Sequence, residues 1–131
     1  MGEKHTIKIL IVEDDDISQF LIQKMIKDIG YDSSTVSNGV DALQLLDKET
    51  FDLILMDIEM PIISGYETTR RIRDSNNVFL KTIPIIGISA NPFENDVQPF
   101  IEKGMNDYIS KPIHELELHQ KIEKQLERPQ K

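Results

Sequence analysis

The chain has 131 residues, no cysteine, and 15 Lys and Arg against 23 Asp and Glu, a formal charge of −8. That length suits one domain whose core needs no covalent staple, and the missing thiols exclude disulfides and thiolate metal sites. An acidic surface repels phosphate backbones and no apolar run approaches the roughly 20 residues that span a bilayer, so we expect a cytoplasmic domain without direct nucleic-acid or membrane contact.

The opening Met1-Gly2-Glu3-Lys4-His5-Thr6 fits a loose myristoylation pattern that short sequences match by chance, and it is not read as an anchor. Ile7 to Val12 is the first predicted strand: β-branched, nearly continuous and too short for a buried helix. Ile17, Leu21 and Met25, with Ile22, Ile26 and Ile29 beside them, stripe a helix that Gly30 stops. Tyr31 to Val36 reads as a more polar strand, and Asn38-Gly39 opens a helix carrying Ala42, Leu43 and Leu46. Leu53 to Met56 is a third, wholly apolar strand. Ser64-Gly65-Tyr66-Glu67 then has the form of a capping box, predicting a helix through Ile72. Ile83 to Ile88 is a fourth strand. Val97, Phe100 and Ile101 mark a short fourth helix ending near Gly104; Pro99 is harmless only in a first turn, so this helix should start around Asn95 to Gln98. Asp107 to Ser110 is the fifth strand, and Leu118, Ile122 and Leu126 stripe the last helix.

Apolar strands alternating with amphipathic helices imply an α/β fold, (βα)5, with a doubly wound parallel sheet covered on both faces. The polar second strand suits an edge, which favours the flavodoxin-like order 2-1-3-4-5 and puts a ligand crevice at the carboxyl ends of strands 1 and 3. Arg70-Arg71-Ile72-Arg73 and the lysines near the C-terminus are expected on solvated helix faces. Tyr66, Phe79, Phe93 and Phe100 read as packing or loop anchors, and His114 and His119 as solvent-facing.

Chemistry-bearing residues appear where four strands finish: Glu13-Asp14-Asp15, Asp57, Ser89 and Lys111. Like carboxylates about 4 Å apart cost about 4 kcal/mol per pair at an effective dielectric of 20, and Lys111 supplies one positive charge. A hard divalent cation held by Asp14, Asp57, a backbone carbonyl and waters would balance the excess. Without Cys, and with the histidines away from the strand ends, Mg²⁺ or Mn²⁺ suits the site better than zinc. Asp15 also fits a plain helix N-cap.

The stretches Ile9-Leu10-Ile11-Val12-Glu13-Asp14-Asp15, Leu55-Met56-Asp57-Ile58-Glu59-Met60-Pro61, Ile88-Ser89-Ala90-Asn91 and Gly104 to Pro112 resemble the receiver domains of two-component response regulators, in the family's order. The resemblance covers about residues 7–126 of a single domain, and its wording around Ser89 to Pro112 is similar to receivers of hybrid sensor kinases. It implies that Asp57 accepts a phosphoryl group and that Glu13 and Asp14 hold Mg²⁺, the Glu59 carbonyl completing the protein ligands. It further implies that Ser89 and Lys111 contact the phosphoryl oxygens, and that Tyr108 is the switch aromatic, entering behind strand 4 as Ser89 turns to the phosphoryl group. Ile63-Ser64 stands where Met-Asp is frequent in the family, and Ser89 where Thr is common.

The implied donor is a sensor histidine kinase or a histidine phosphotransfer domain, since no His lies among the strand-end residues. The implied output is a phosphorylation-dependent partner or dimer contact through the fourth predicted helix, the fifth strand and the last helix. No output domain is expected after that helix. Such a domain is not a classical enzyme by itself, although it catalyses its own phosphorylation and dephosphorylation. The alternative is a receiver-like interaction module that works without phosphorylation. A flavin-mononucleotide carrier would want a Ser/Thr/Gly-rich phosphate loop where Glu13-Asp14-Asp15 stands. A haloacid-dehalogenase phosphohydrolase would want Asp at position 59.

Overall fold

A computed structural model describes residues 6–90 and 96–127. Its elements are β1 (Lys8–Val12), α1 (Asp16–Ile29), β2 (Asp32–Val36), α2 (Gly39–Leu46), β3 (Leu53–Asp57), α3 (Gly65–Arg73), α4 (Val78–Thr82), β4 (Ile85–Ser89), α5 (Gln98–Glu102), β5 (Asp107–Ser110) and α6 (Glu115–Leu126). The opening Met1 to His5, and Asn91 to Asn95 with the Phe93 anchor, lie outside the described residues.

Local chemistry explains the boundaries. Asp15 caps α1 by accepting from the Ser18 N–H, and Gly30 ends the helix at φ 107°, where its N–H reaches the Ile26 and Lys27 carbonyls. Asn38 caps α2 and Ser64 caps α3 in the same way. The predicted capping box is half realised: Glu67 turns its carboxylate to Arg70 and Arg71 instead, and those hydrogen bonds pull it down to about 2. Pro99 falls in the first turn of the five-residue α5, where its missing N–H costs nothing.

Three expectations need correction. Six helices form among the described residues, not five. The extra one, α4, has Asn77 as its N-cap and buries Leu80 alone. A single buried position leaves no periodicity to read, and Phe79, expected as an anchor, is 74% exposed. The basic residues also divide. Arg70 and Arg71 are exposed, but Arg73 turns inward and donates to the Gly104 and Leu80 carbonyls and to Asn106 Oδ1, tying α3 to α4 and to the approach to β5.

All pairings in the sheet are parallel, in the order β2-β1-β3-β4-β5, with β2 at one edge. Alternate residues of the apolar strands feed two separate cores. Leu10, Val12, Ile54, Met56 and Ile85 pack with Ala42, Leu46, Ile72 and Phe100 on one face. Ile9, Ile11, Leu55, Ile86 and Ile88 pack with Ile22, Ile26, Leu118 and Ile122 on the other. Both faces being covered, the carboxyl ends of β1, β3, β4 and β5 form the open rim. No helix among the described residues is long and apolar enough to cross a membrane.

Candidate functional site

Three strands deliver the central charges to that rim. Glu13 follows β1 directly; its N–H donates to the Val36 carbonyl at 3.1 Å and its Oε2 accepts from the Asp15 N–H at 3.1 Å. Asp57 is the last residue of β3, held there because the next N–H, of Ile58, bonds the Ile88 carbonyl of β4 at 2.9 Å. Lys111 follows β5, its N–H bonding the Ser89 carbonyl at 2.9 Å. Glu13 is 0% exposed and Asp57 1%.

Lys111 Nζ stands 3.6 Å from both Glu13 Oε1 and Asp57 Oδ1, so one ammonium serves two buried carboxylates, and neither approach is short enough for a good hydrogen bond. Asp57 Oδ1 also accepts from the Glu59 N–H at 3.3 Å. Among the described residues Glu13 Oε1 and Asp57 Oδ2 have no hydrogen-bond partner. Such orphaned buried oxygens are rare in native proteins and expensive without a counter-charge. Asp14 is exposed, yet one of its carboxylate oxygens lies within 4.8 Å of oxygens of both Glu13 and Asp57. An all-oxygen donor set with an excess of negative charge fits a hard divalent cation.

The electrostatics follow. Burial, and then repulsion from Glu13, push the Asp57 carboxyl up to about 7 against the pull of Lys111. Burial alone would lower the Lys111 ammonium, but attraction from Asp57 and Glu13 outweighs it and leaves it above its ordinary value.

Glu13, Asp14, Asp57 and Lys111 are thus brought together. Ser89 ends β4 beside them, 3% exposed and paired in register with Ser110. Glu59 lies on the rim, its own side chain exposed. Tyr108 is not part of the cluster. It is 9% exposed and stacks on Phe100 in the core, with ring centroids 4.6 Å apart and planes 8° apart. Gln19 was not foreseen: its amide donates to the Glu13 and Val36 carbonyls at 3.0 and 3.2 Å, bracing the end of β1 against β2 from α1. A polar residue on a helix carries no sequence signal of carbonyls that only the sheet brings to it.

Comparison with known proteins agrees with this geometry. Residues 9–123 match the model of the response regulator receiver domain. The chain is 35% identical over 113 residues to the sensor histidine kinase RcsC of Escherichia coli K12, which covers 86% of this chain and 12% of that protein. It is 35% identical over 116 residues to the sensor histidine kinase GacS of Pseudomonas protegens, covering 88% of this chain and 13% of that protein. The chain therefore spans about an eighth of the length of these relatives. Among solved structures, the receiver domain of the sensor histidine kinase PA1611 from Pseudomonas aeruginosa PAO1, which has a magnesium ion coordinated in its active-site cleft, superposes with a TM-score of 0.84 at 33% identity. That match covers 95% of this chain and 100% of the neighbour. Five parallel strands in the order 2-1-3-4-5, an acidic rim facing a lysine, and a family match over nearly the whole chain have one reading: the chain belongs to the receiver-domain family of response regulators.

Proposed function

We propose that this domain takes a phosphoryl group from a phosphohistidine of a sensor kinase or phosphotransfer domain onto Asp57, and signals through the change that follows. The observation that carries the reading is the pair of buried, under-bonded carboxylates, Glu13 and Asp57, sharing Lys111. A site kept only for packing would leave no such oxygens bare.

In the transfer, a carboxylate oxygen of Asp57 attacks phosphorus, a P–O bond forms, the donor's N–P bond breaks, and the imidazole leaves with the electron pair and takes up a proton. Hydrolysis of the acyl phosphate returns the carboxylate and inorganic phosphate. Glu13, Asp14 and Asp57, with the Glu59 carbonyl, would hold Mg²⁺ (or Mn²⁺), which supplies charge neutralisation for the transferred oxygens. Asp57 must be ionised to attack, and Lys111 favours that form while staying charged to pair with the incoming oxygens. Ser89, at the end of β4, is the hydroxyl offered to a second oxygen. Positioning and electrostatics carry the step, because the loose transition state of phosphoryl transfer demands little else.

The donor's approach is supported by Ile17, Phe20 and Leu21 of α1 and Leu116 of α6, exposed apolar side chains, and by a groove of about 410 Å³ between Leu21, Met25, Pro112 and Ile113 that reaches Lys111. Acetyl phosphate with Mg²⁺ and intact-protein mass spectrometry test the proposal. The native chain should gain one phosphoryl group and Asp57→Asn none. A mass gain in Asp57→Asn would move the acceptor elsewhere, and no gain in the native chain would favour a module that binds without phosphorylation.

A further inference from the structure

The lysines near the C-terminus were expected on a solvated face, and Lys121 is not. Its side chain is 24% exposed, and its ammonium lies over the Tyr108 ring, 4.6 Å from the centroid. The same nitrogen donates to the Tyr108 carbonyl and pairs with Asp107 Oδ1 at 3.3 Å and Glu117 Oε2 at 3.6 Å. Asp107 Oδ1 also accepts from the Tyr108 N–H at 2.8 Å. One cation of α6 therefore holds together the Tyr108 carbonyl, the Tyr108 ring and the Asp107 carboxylate that accepts from the Tyr108 N–H. The ring also stacks on Phe100, which is fully buried in α5.

We propose that Lys121 is a positioning residue that clamps Tyr108 inward and presets the face made by α5, β5 and α6. Among the described residues Lys121 contacts Tyr108, Asp107 and Glu117 and makes no direct contact with Asp57, Ser89 or Lys111, so the clamp is built from groups outside the acceptor site. A phosphoryl group can then move Tyr108 only as far as its inward and outward populations differ, and a lysine that already favours the inward state leaves a small shift to make. Charge removal at position 121 should make the face more dependent on the acceptor site, not less. This second consequence rests on the phosphoacceptor reading; the clamp itself does not.

The chain has three tyrosines and no tryptophan, so Tyr31→Phe with Tyr66→Phe leaves Tyr108 as the sole strong emitter. In that background, acrylamide quenching of tyrosine emission reads how far Tyr108 is exposed. Loss of a cation–π contact together with charge-assisted bonds is expected to change the inward-to-outward ratio by about tenfold. A ring outward about a tenth of the time would then be outward about half the time, raising quenching roughly fivefold.

Lys121→Met keeps the packing of the stem and should show this rise, whereas Lys121→Arg keeps the charge and should stay near the parent; Lys121→Gln is the second probe if the Met variant unfolds. Addition of Mg²⁺ and beryllofluoride, a phosphoryl mimic, should lower quenching strongly in Lys121→Met and little in the parent. Unchanged quenching in Lys121→Met or Lys121→Gln without beryllofluoride would show that Phe100 alone holds the ring and would overturn the clamp. Equal quenching in Lys121→Arg and Lys121→Met would overturn the role of the charge. Fluorine NMR of bound beryllofluoride is read separately. If none binds, the phosphoacceptor reading fails, and the clamp still stands or falls on the quenching without it.

Discussion

Replacing Asp57 by Asn removes a buried negative charge that the fold holds at a cost. Asp57 is buried beside Glu13, and its carboxyl is raised from 3.8 to about 7. A folded-state value above the unfolded one means that the folded chain holds the proton more tightly. Ionising Asp57 is therefore harder in the native state, and stability falls as pH rises from about 4 to about 7. About three pKa units correspond to about 4 kcal/mol, which is the ceiling for the recovery in Asp57→Asn above pH 7. The amide is itself desolvated and cannot pair with Lys111 as the carboxylate does, so a gain of about 1–3 kcal/mol is expected. For a domain of this length that is roughly 3–15 °C in Tm.

Urea unfolding followed by circular dichroism, in metal-free buffer from pH 4.5 to 8, measures the difference. It should be small at pH 4.5 and open towards pH 7. Mg²⁺ at about ten times its dissociation constant should stabilise the native chain by about 1.4 kcal/mol and the variant by less, narrowing the gap. A gap independent of pH, or a variant less stable than the native chain at pH 8 without metal, would refute the electrostatic account.

Three further outcomes follow from particular contacts. Ile62 is a β-branched residue at φ 73° that is 75% exposed, so Ile62→Asn should raise stability by about 0.5–1 kcal/mol in urea unfolding by relieving the left-handed backbone with little loss of packing. Gly65→Ala should destabilise by roughly 2–4 kcal/mol, or shift the loop after β3, because an added Cβ would stand 2.2 Å from the Asp57 carbonyl; a thermal melt detects it, and an unchanged Tm would contradict the close approach. Arg73→Met should cost about 2–3 kcal/mol, since the two carbonyls and the Asn106 side chain that it serves lose a charged donor, and hydrogen exchange should quicken first in α4.

Much of this molecule was legible as sequence. The five strands, their order and the caps at Asp15, Asn38 and Ser64 follow from period, polarity and local side-chain chemistry, which act over a few residues and so survive in the linear chain. The charges of the site were legible too, because a polar residue directly after an apolar strand must emerge at the sheet's rim wherever the helices lie. What only the tertiary structure decided depends on groups that meet across elements. It decided that Lys111 stands 3.6 Å from two carboxylates and pairs closely with neither, and that burial raises Asp57. It also turned Arg73 and Lys121, two residues of ordinary basic stretches, inward onto carbonyls and an aromatic ring. A long cationic side chain has the same sequence signature whether its head ends in water or against a neighbouring strand. Its reach of several ångströms and its flexible stem let packing, rather than local preference, choose between them.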